Sequence, residues 1–181
     1  MDWLTDTDAG KIVLGALIAF GGQLIIYIFN ITRESFQRKR EQSKIALSIV
    51  INLTDFINQC YDMLAAPIIM HENYYLRIEY QKPELQLNEG VDYKLLGVEF
   101  MCSVLLLPNE IIHIEKELEL ISEVDDLHKR FYERQHDLYS ALAIKIIKIR
   151  MELCRKYNIP EDNIYDNSDF YANVFHKKLT I

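Results

Sequence analysis

The sequence is poor in the residues that interrupt or cross-link a chain. Its 181 residues include six Gly and four Pro, which excludes collagen-like and linker-dominated chains. Three cysteines and no CxxC pair exclude a disulfide scaffold and leave zinc and redox motifs without support. The sequence contains no GxSxG, Walker A, HExxH or Gly-rich phosphate loop, so nucleophilic, phosphoryl-transfer and metalloprotease chemistries have no anchor. Disorder is excluded from the other side. Half the residues are apolar and 26% are charged, whereas disordered chains combine few apolar residues with high net charge. No internal repeat or low-complexity segment is present.

Charge is missing most conspicuously near the start. Residues 12–29 read IVLGALIAFGGQLIIYIF, uncharged throughout. With Asn30 and Ile31 the run reaches 20 residues, or ~30 Å of helix, the thickness of a hydrocarbon core. A signal peptide needs a basic start and a short apolar core, but Asp2, Asp6 and Asp8 precede this run. The reading is a retained transmembrane helix over 12–31, preceded by a short extracytoplasmic terminus, 1–11. Trp3 and Tyr27 are interface anchors at its two ends.

Orientation follows from flanking bases. Lys11 stands alone upstream; Arg33, Arg38, Lys39, Arg40 and Lys44 follow downstream. Basic flanks stay inside, so residues 32–181 are expected in the cytoplasm, beneath an inner cell membrane. Glu34 and Glu41 dilute the juxtamembrane stretch, making lipid-specific binding the weaker reading of it. Setting aside Lys11 and the three early Asp, residues 32–181 hold 19 bases and 24 acids. That balance argues against nucleic-acid binding, which needs a basic footprint.

Gly15, Ala19 and Gly22 fall on one helix face, with Gln23 beside it. Small faces let membrane helices approach, and a buried amide adds a hydrogen bond. The expectation is a homo-oligomer. After the basic stretch, Ala46, Val50, Leu53, Ile57, Cys60 and Leu64 alternate spacings of four and three, a helix-packing seam. Ile45, Leu47, Ile49, Ile51 and Phe56 widen it, as in a helix gripped by several neighbours. No Gly or Pro intervenes between Gly22 and Pro67, so one continuous helix from the span to residue 66 is compatible with the pattern.

Beyond Pro67, residues 68–81 read as helix, with Tyr74, Tyr75, Ile78 and Tyr80 leaving a strand open. Residues 82–92 read as a loop and 93–107 as a compact core helix. Pro108 fits the first turn of a new helix with Ile111, Ile114, Leu118, Ile121 and Val124 as its stripe. The next stripe is Leu127, Phe131, Leu138, Leu142, Ile146, Ile149 and Leu153. The join at 122–126 is either a turn or continuous. Pro160 and the Asn-rich stretch 158–167 close the helix. A short C-terminal helix follows, with Ser168 as its cap and Phe170, Val174 and Phe175 as contacts. Cys60, Cys102 and Cys154 read as buried small hydrophobes.

Three acid-x-x-His pairs, Glu110/His113, Asp125/His128 and Glu133/His136, have the spacing used by di-metal bundles, whose ligands point inward. At 100° per residue, Glu133 and His136 lie ~140–160° from the aliphatic stripe of their helix, and His113 ~120° from its own. The pairs therefore read as solvent-facing. His71 beside Glu72 reads as loop or interface. Tyr74, Tyr75, Tyr80, Tyr93, Tyr157, Tyr165, Phe170, Tyr171 and Phe175 read as packing of loops on the bundle, with a recognition surface as the alternative.

The fold expected is all-α: a single N-terminal transmembrane helix continuing into a cytoplasmic antiparallel helical bundle. The function expected is non-enzymatic, a membrane-anchored adaptor, sensor or regulatory subunit. No catalytic or metal residue and no cofactor is assigned. The alternatives are a membrane-active effector of the stress or phage-exclusion type, whose oligomerised spans alter permeability, and a metal-dependent enzyme in a helical bundle.

Overall fold

A computed structural model describes residues 8–77, 80–160, 174–176 and 179, and no side chains at 8–11, 14 and 18. The described chain is mostly helical with two short strands. Contacts divide it into two compact units, Met1–Glu41 and Gln42–Ile181. Trp3, Ile78, Tyr165, Ser168, Phe170 and Tyr171 lie outside the described residues.

Helix α1 is Asp8–Ala65. Its end is written in the sequence: Pro67 disfavours helical backbone at Ala66 and offers no N–H of its own. In the second unit the seam residues Ala46, Val50, Leu53, Ile57, Cys60 and Leu64 are all buried. Ile49 and Phe56 are buried beside them, whereas Leu47 and Ile51 are exposed. The apolar face of α1 is thus wider than a two-helix seam but does not wrap the helix.

Residues 68–77 form an antiparallel hairpin, not a helix. Strand β1 is Ile68–His71 and β2 is Tyr74–Arg77, with His71 opposite Tyr74 and Ile69 opposite Leu76. Aromatic and β-branched side chains suit this pleat. Glu72 makes the turn with φ 51°. In this register the Tyr75 and Arg77 N–H groups point away from β1. Tyr75 donates to the Leu127 carbonyl at 3.0 Å and Arg77 to the Tyr132 hydroxyl at 3.1 Å.

Residues 80–92 are an extended strap laid along α1. Pro83 is buried, and Leu85 and Leu87 are packed on the core. The Glu84 N–H donates to Gln59 Oε1 at 2.8 Å, and Asn88 bonds Ser48. The core helix expected over 93–107 is split. A 3-10 turn, Tyr93–Leu96, precedes α2, Val98–Leu105. The break is Gly97, at φ 87°, a left-handed backbone that favours Gly.

Helix α3 is Leu107–Ser122, with Pro108 in its first turn. The 122–126 join is a turn. Helix α4, Lys129–Tyr157, starts from His128 at φ 55° and ends at Asn158 in the left-handed conformation. Ile111, Ile114 and Leu118 of α3 and Leu142, Ile146, Ile149 and Leu153 of α4 join α1 in one core. The stripe ends differ from expectation: Val124 and Leu127 are exposed and lie outside both helices. Phe175 is buried and meets Tyr61 edge-on at 6.4 Å. Cys60 and Cys154 are buried, but Cys102 is exposed on the outer side of α2.

Candidate functional site

Two features stand out, one in each unit. The first is the apolar run itself. Every side chain described between Ile12 and Ile31 is exposed, including Leu17 at 63%, Phe20 at 71%, Ile25 at 69% and Phe29 at 65%. This is the one described helix long and apolar enough to cross a membrane, and none of its apolar window is covered by the protein. A buried core helix would pass the same length test, but its apolar face would be covered. Gly15, Ala19, Gly22 and Gln23 are exposed, and a Cβ added at Gly15 or Gly22 would meet no other atom within 4 Å. Arg33, Arg38, Lys39, Arg40 and Lys44 are exposed as well.

The second feature is a buried cation. Arg77 is only 3% exposed. Strand β2 carries it inward at the end of α1, where Nη1 donates to the Met63 carbonyl at 2.7 Å. Helices leave their last carbonyls without intrahelical partners, so Arg77 satisfies one and sits at the negative end of the helix dipole. Its guanidinium lies 5.4 Å from the Tyr132 ring centroid and 6.0 Å from that of Tyr80. These are cation–π distances. Nε and Nη2 have no hydrogen-bond partner among the described residues. Burial pulls the Arg77 pKa down, partly countered by Tyr80 and Tyr132.

His136 shares this region and corrects the helical-wheel reading. It is 5% exposed, not solvent-facing, as are Gln135 and Tyr132; Tyr139 is still more deeply buried. The aliphatic stripe is flanked by a polar-aromatic one that a count of Leu, Ile and Val overlooks. Burial and then the Arg77 charge hold the His136 imidazole below its usual pKa, against Asp137 and a hydrogen bond to the Val174 main chain. At neutral pH the ring is uncharged, which suits a neighbour that is already a buried cation. Burial likewise pushes the Tyr139 hydroxyl up. The cluster ties the end of α1, the hairpin and α4 together. Its chemistry is that of a polar lock: an occluded cation, a neutral imidazole and no activated nucleophile.

The other two acid-x-x-His pairs do separate work. Glu110 pairs with Lys145 across α3 and α4, while His113 is exposed. Asp125 Oδ2 accepts from the Phe131 N–H at 2.9 Å, and the His128 N–H donates to the Asp125 carbonyl at 2.9 Å. That pair starts a helix. Among the described residues, no three His, Cys, Asp or Glu gather as metal ligands would. His71 stacks near Tyr74 at 5.6 Å and Tyr74 near His128 at 6.1 Å, packing the hairpin on the start of α4. Sequence reasoning missed Arg77 entirely. Its only signal is an inward-pointing position in an alternating strand. The chain matches no family model, no curated protein and no solved structure.

Proposed function

We propose that this chain is a single-pass membrane protein whose helical part, residues 32–181, lies in the cytoplasm and serves as an adaptor, sensor or regulatory subunit. The observation that carries the reading is the run Ile12–Ile31, apolar on every side and covered on none. A helix apolar all round belongs in a core or in a bilayer, and this one has no core around it. The orientation rests on the basic flank after Ile31, which favours an inside location. A non-enzymatic role rests on the sequence motifs that are missing and on the closed character of the Arg77 cluster. Self-association runs through Gly15, Ala19, Gly22 and Gln23, whose close approach would be blocked by larger side chains.

In-cell crosslinking of the full-length chain tests this reading. The expected result is a membrane-bound complex of fixed stoichiometry. Substituting Gly15→Leu together with Gly22→Leu lowers self-crosslinking at least tenfold, about 1.4 kcal/mol or more, with an unchanged melting transition of the soluble part. Crosslinks unaffected by the pair, or a chain recovered in the soluble fraction, would contradict it.

A further inference from the structure

The basic residues after the span are unevenly placed around the helix. At 100° per residue, Phe29, Thr32, Arg33, Phe36, Gln37 and Arg40 fall within an arc of ~140°. Those six residues line one groove on the helix surface, of about 380 Å³. All six are exposed, Phe29 at 65% and Phe36 at 64%. Thr32 Oγ1 turns back to the Ile28 carbonyl at 2.7 Å, leaving the Gln37 amide and the Arg33 and Arg40 guanidinium groups as the donors of the groove, the two cations without an ion pair among the described residues. Glu34 and Glu41 lie ~110–130° from the centre of this arc. Arg38 is one turn from Glu34, across the helix. Arg33 and Arg40 therefore share a face with the aromatics and with no acid, whereas Arg38 lies with Glu34 and Glu41.

Distance along the axis fits a ligand at the bilayer surface. Arg33 follows Ile31 by ~3 Å and Arg40 by ~14 Å. Helical side chains tilt toward the N-terminus, which is the membrane side in this chain. Arg40 thus reaches back toward the headgroup layer, ~5–7 Å deep, while Phe29 lies ~3 Å inside the hydrocarbon edge and Phe36, ~8 Å past Ile31, tilts back onto the headgroup layer. A guanidinium binds phosphate through paired N–H donors. The geometry points to a binding site for anionic phospholipid headgroups on the Phe29–Arg33–Phe36–Arg40 face. The lipid phosphate lies between Arg33 and Arg40, beside the Phe36 ring, and its glycerol end faces Phe29.

This inference rests on the membrane reading above, and it sharpens that reading. Gly15, Ala19 and Gly22 project at angles of ~40–100° on the same wheel, which includes the angles of Arg33 and Arg40. Two copies closing parallel through that small-residue face bring Arg33 against Arg33 and Arg40 against Arg40. Like charges so placed oppose the contact. Headgroups bound between them remove the repulsion, so self-association depends on anionic lipid.

The test uses the full-length chain in nanodiscs of phosphatidylcholine, with or without about one-third phosphatidylglycerol, to vary surface charge. Native mass spectrometry counts retained phosphatidylglycerol, and energy transfer between labelled copies reports association. At about fivefold per base near an anionic surface, the pair Arg33→Gln and Arg40→Gln lowers phosphatidylglycerol retention ~25-fold. Arg38→Gln with Lys39→Gln lowers it less than fivefold. Wild-type copies associate only with phosphatidylglycerol present, and the Arg33/Arg40 variant associates in both lipids. Equal losses from the two variants, or no preference for phosphatidylglycerol, would overturn the headgroup site alone. Displacement by millimolar glycerophosphate in solution would make the site one for free phosphate and also overturn it. A chain left in the aqueous phase overturns the anchor and the site together.

Discussion

Helix α1 contains two apolar segments that differ in how they are satisfied. From Ala46 to Leu64 the apolar side chains form a face, and Leu53, Phe56 and Cys60 on it are 0% exposed. From Ile12 to Ile31 they surround the helix, and the described ones stay open to the outside, Phe20 at 71%. The Ala46–Leu64 segment carries Asp55, Asp62 and other polar residues on its far side, whereas Ile12–Ile31 is uncharged all round. A one-sided stripe finds its partner in α3 and α4. An all-round coat needs apolar cover on every side, from a bilayer or from other protein. The difference separates a segment covered within its own unit from one that the described protein leaves uncovered.

Charged and shortened side chains break this comparison most sharply. Leu17→Arg together with Ile25→Arg places two cations in the span, at a cost of about 5–7 kcal/mol in hydrocarbon. The variant is expected to leave the membrane fraction while the melting transition of its soluble part stays put. Leu53→Ala does the reverse. It is expected to remain with the membrane and to lose ~2–5 kcal/mol of stability, from a cavity in the core. Fractionation paired with chemical denaturation of both variants reads the two effects. A span variant that melts early, or stays with the membrane, would mean that the first segment also has a protein partner.

A smaller effect sharpens the contrast from the side of the packed unit, Gln42–Ile181. His136 is held below its ordinary pKa of 6.5 by burial and the Arg77 charge. The unfolded chain therefore binds a proton before the folded one does. Its contribution to stability is complete above pH 6.5 and is lost as pH falls below that value and through the lower folded pKa. Denaturation midpoints of the wild type should decline over this range, and those of His136→Gln should decline less. Equal slopes would remove His136 from the lock. Association with the membrane should be indifferent to the substitution.

Where the sequence was legible, a local signal agreed with the tertiary outcome. Pro67 ends α1, Pro108 opens α3 and the 158–160 stretch closes α4, because proline and left-handed Asn act on the backbone whatever surrounds them. The Ala46–Leu64 seam was legible because its apolar residues recur at helical spacing. The hairpin was not, since Ile68–Arg77 carries both periodicities and only the docking of β2 on Leu127 and Tyr132 decides between them. Gly97 was hidden in an apolar run whose periodicity carries across it. The polar lock was least legible. Tyr132, Gln135, His136 and Tyr139 look like a wet face when only aliphatic residues are counted. Arg77 is a residue type seldom fully buried. Its position becomes intelligible only once the open end of α1 is in place, with the Met63 carbonyl waiting for a donor.

The measurement that bears most directly on the account is alkaline carbonate extraction of membranes from cells expressing the full-length wild-type chain. High pH strips proteins held by surface charge or by a partner, and leaves those with a helix in the hydrocarbon. The account predicts that the chain stays in the lipid pellet and is released only by detergent. Release into the carbonate supernatant would contradict it, and the exposed run Ile12–Ile31 would then have to be covered by another protein.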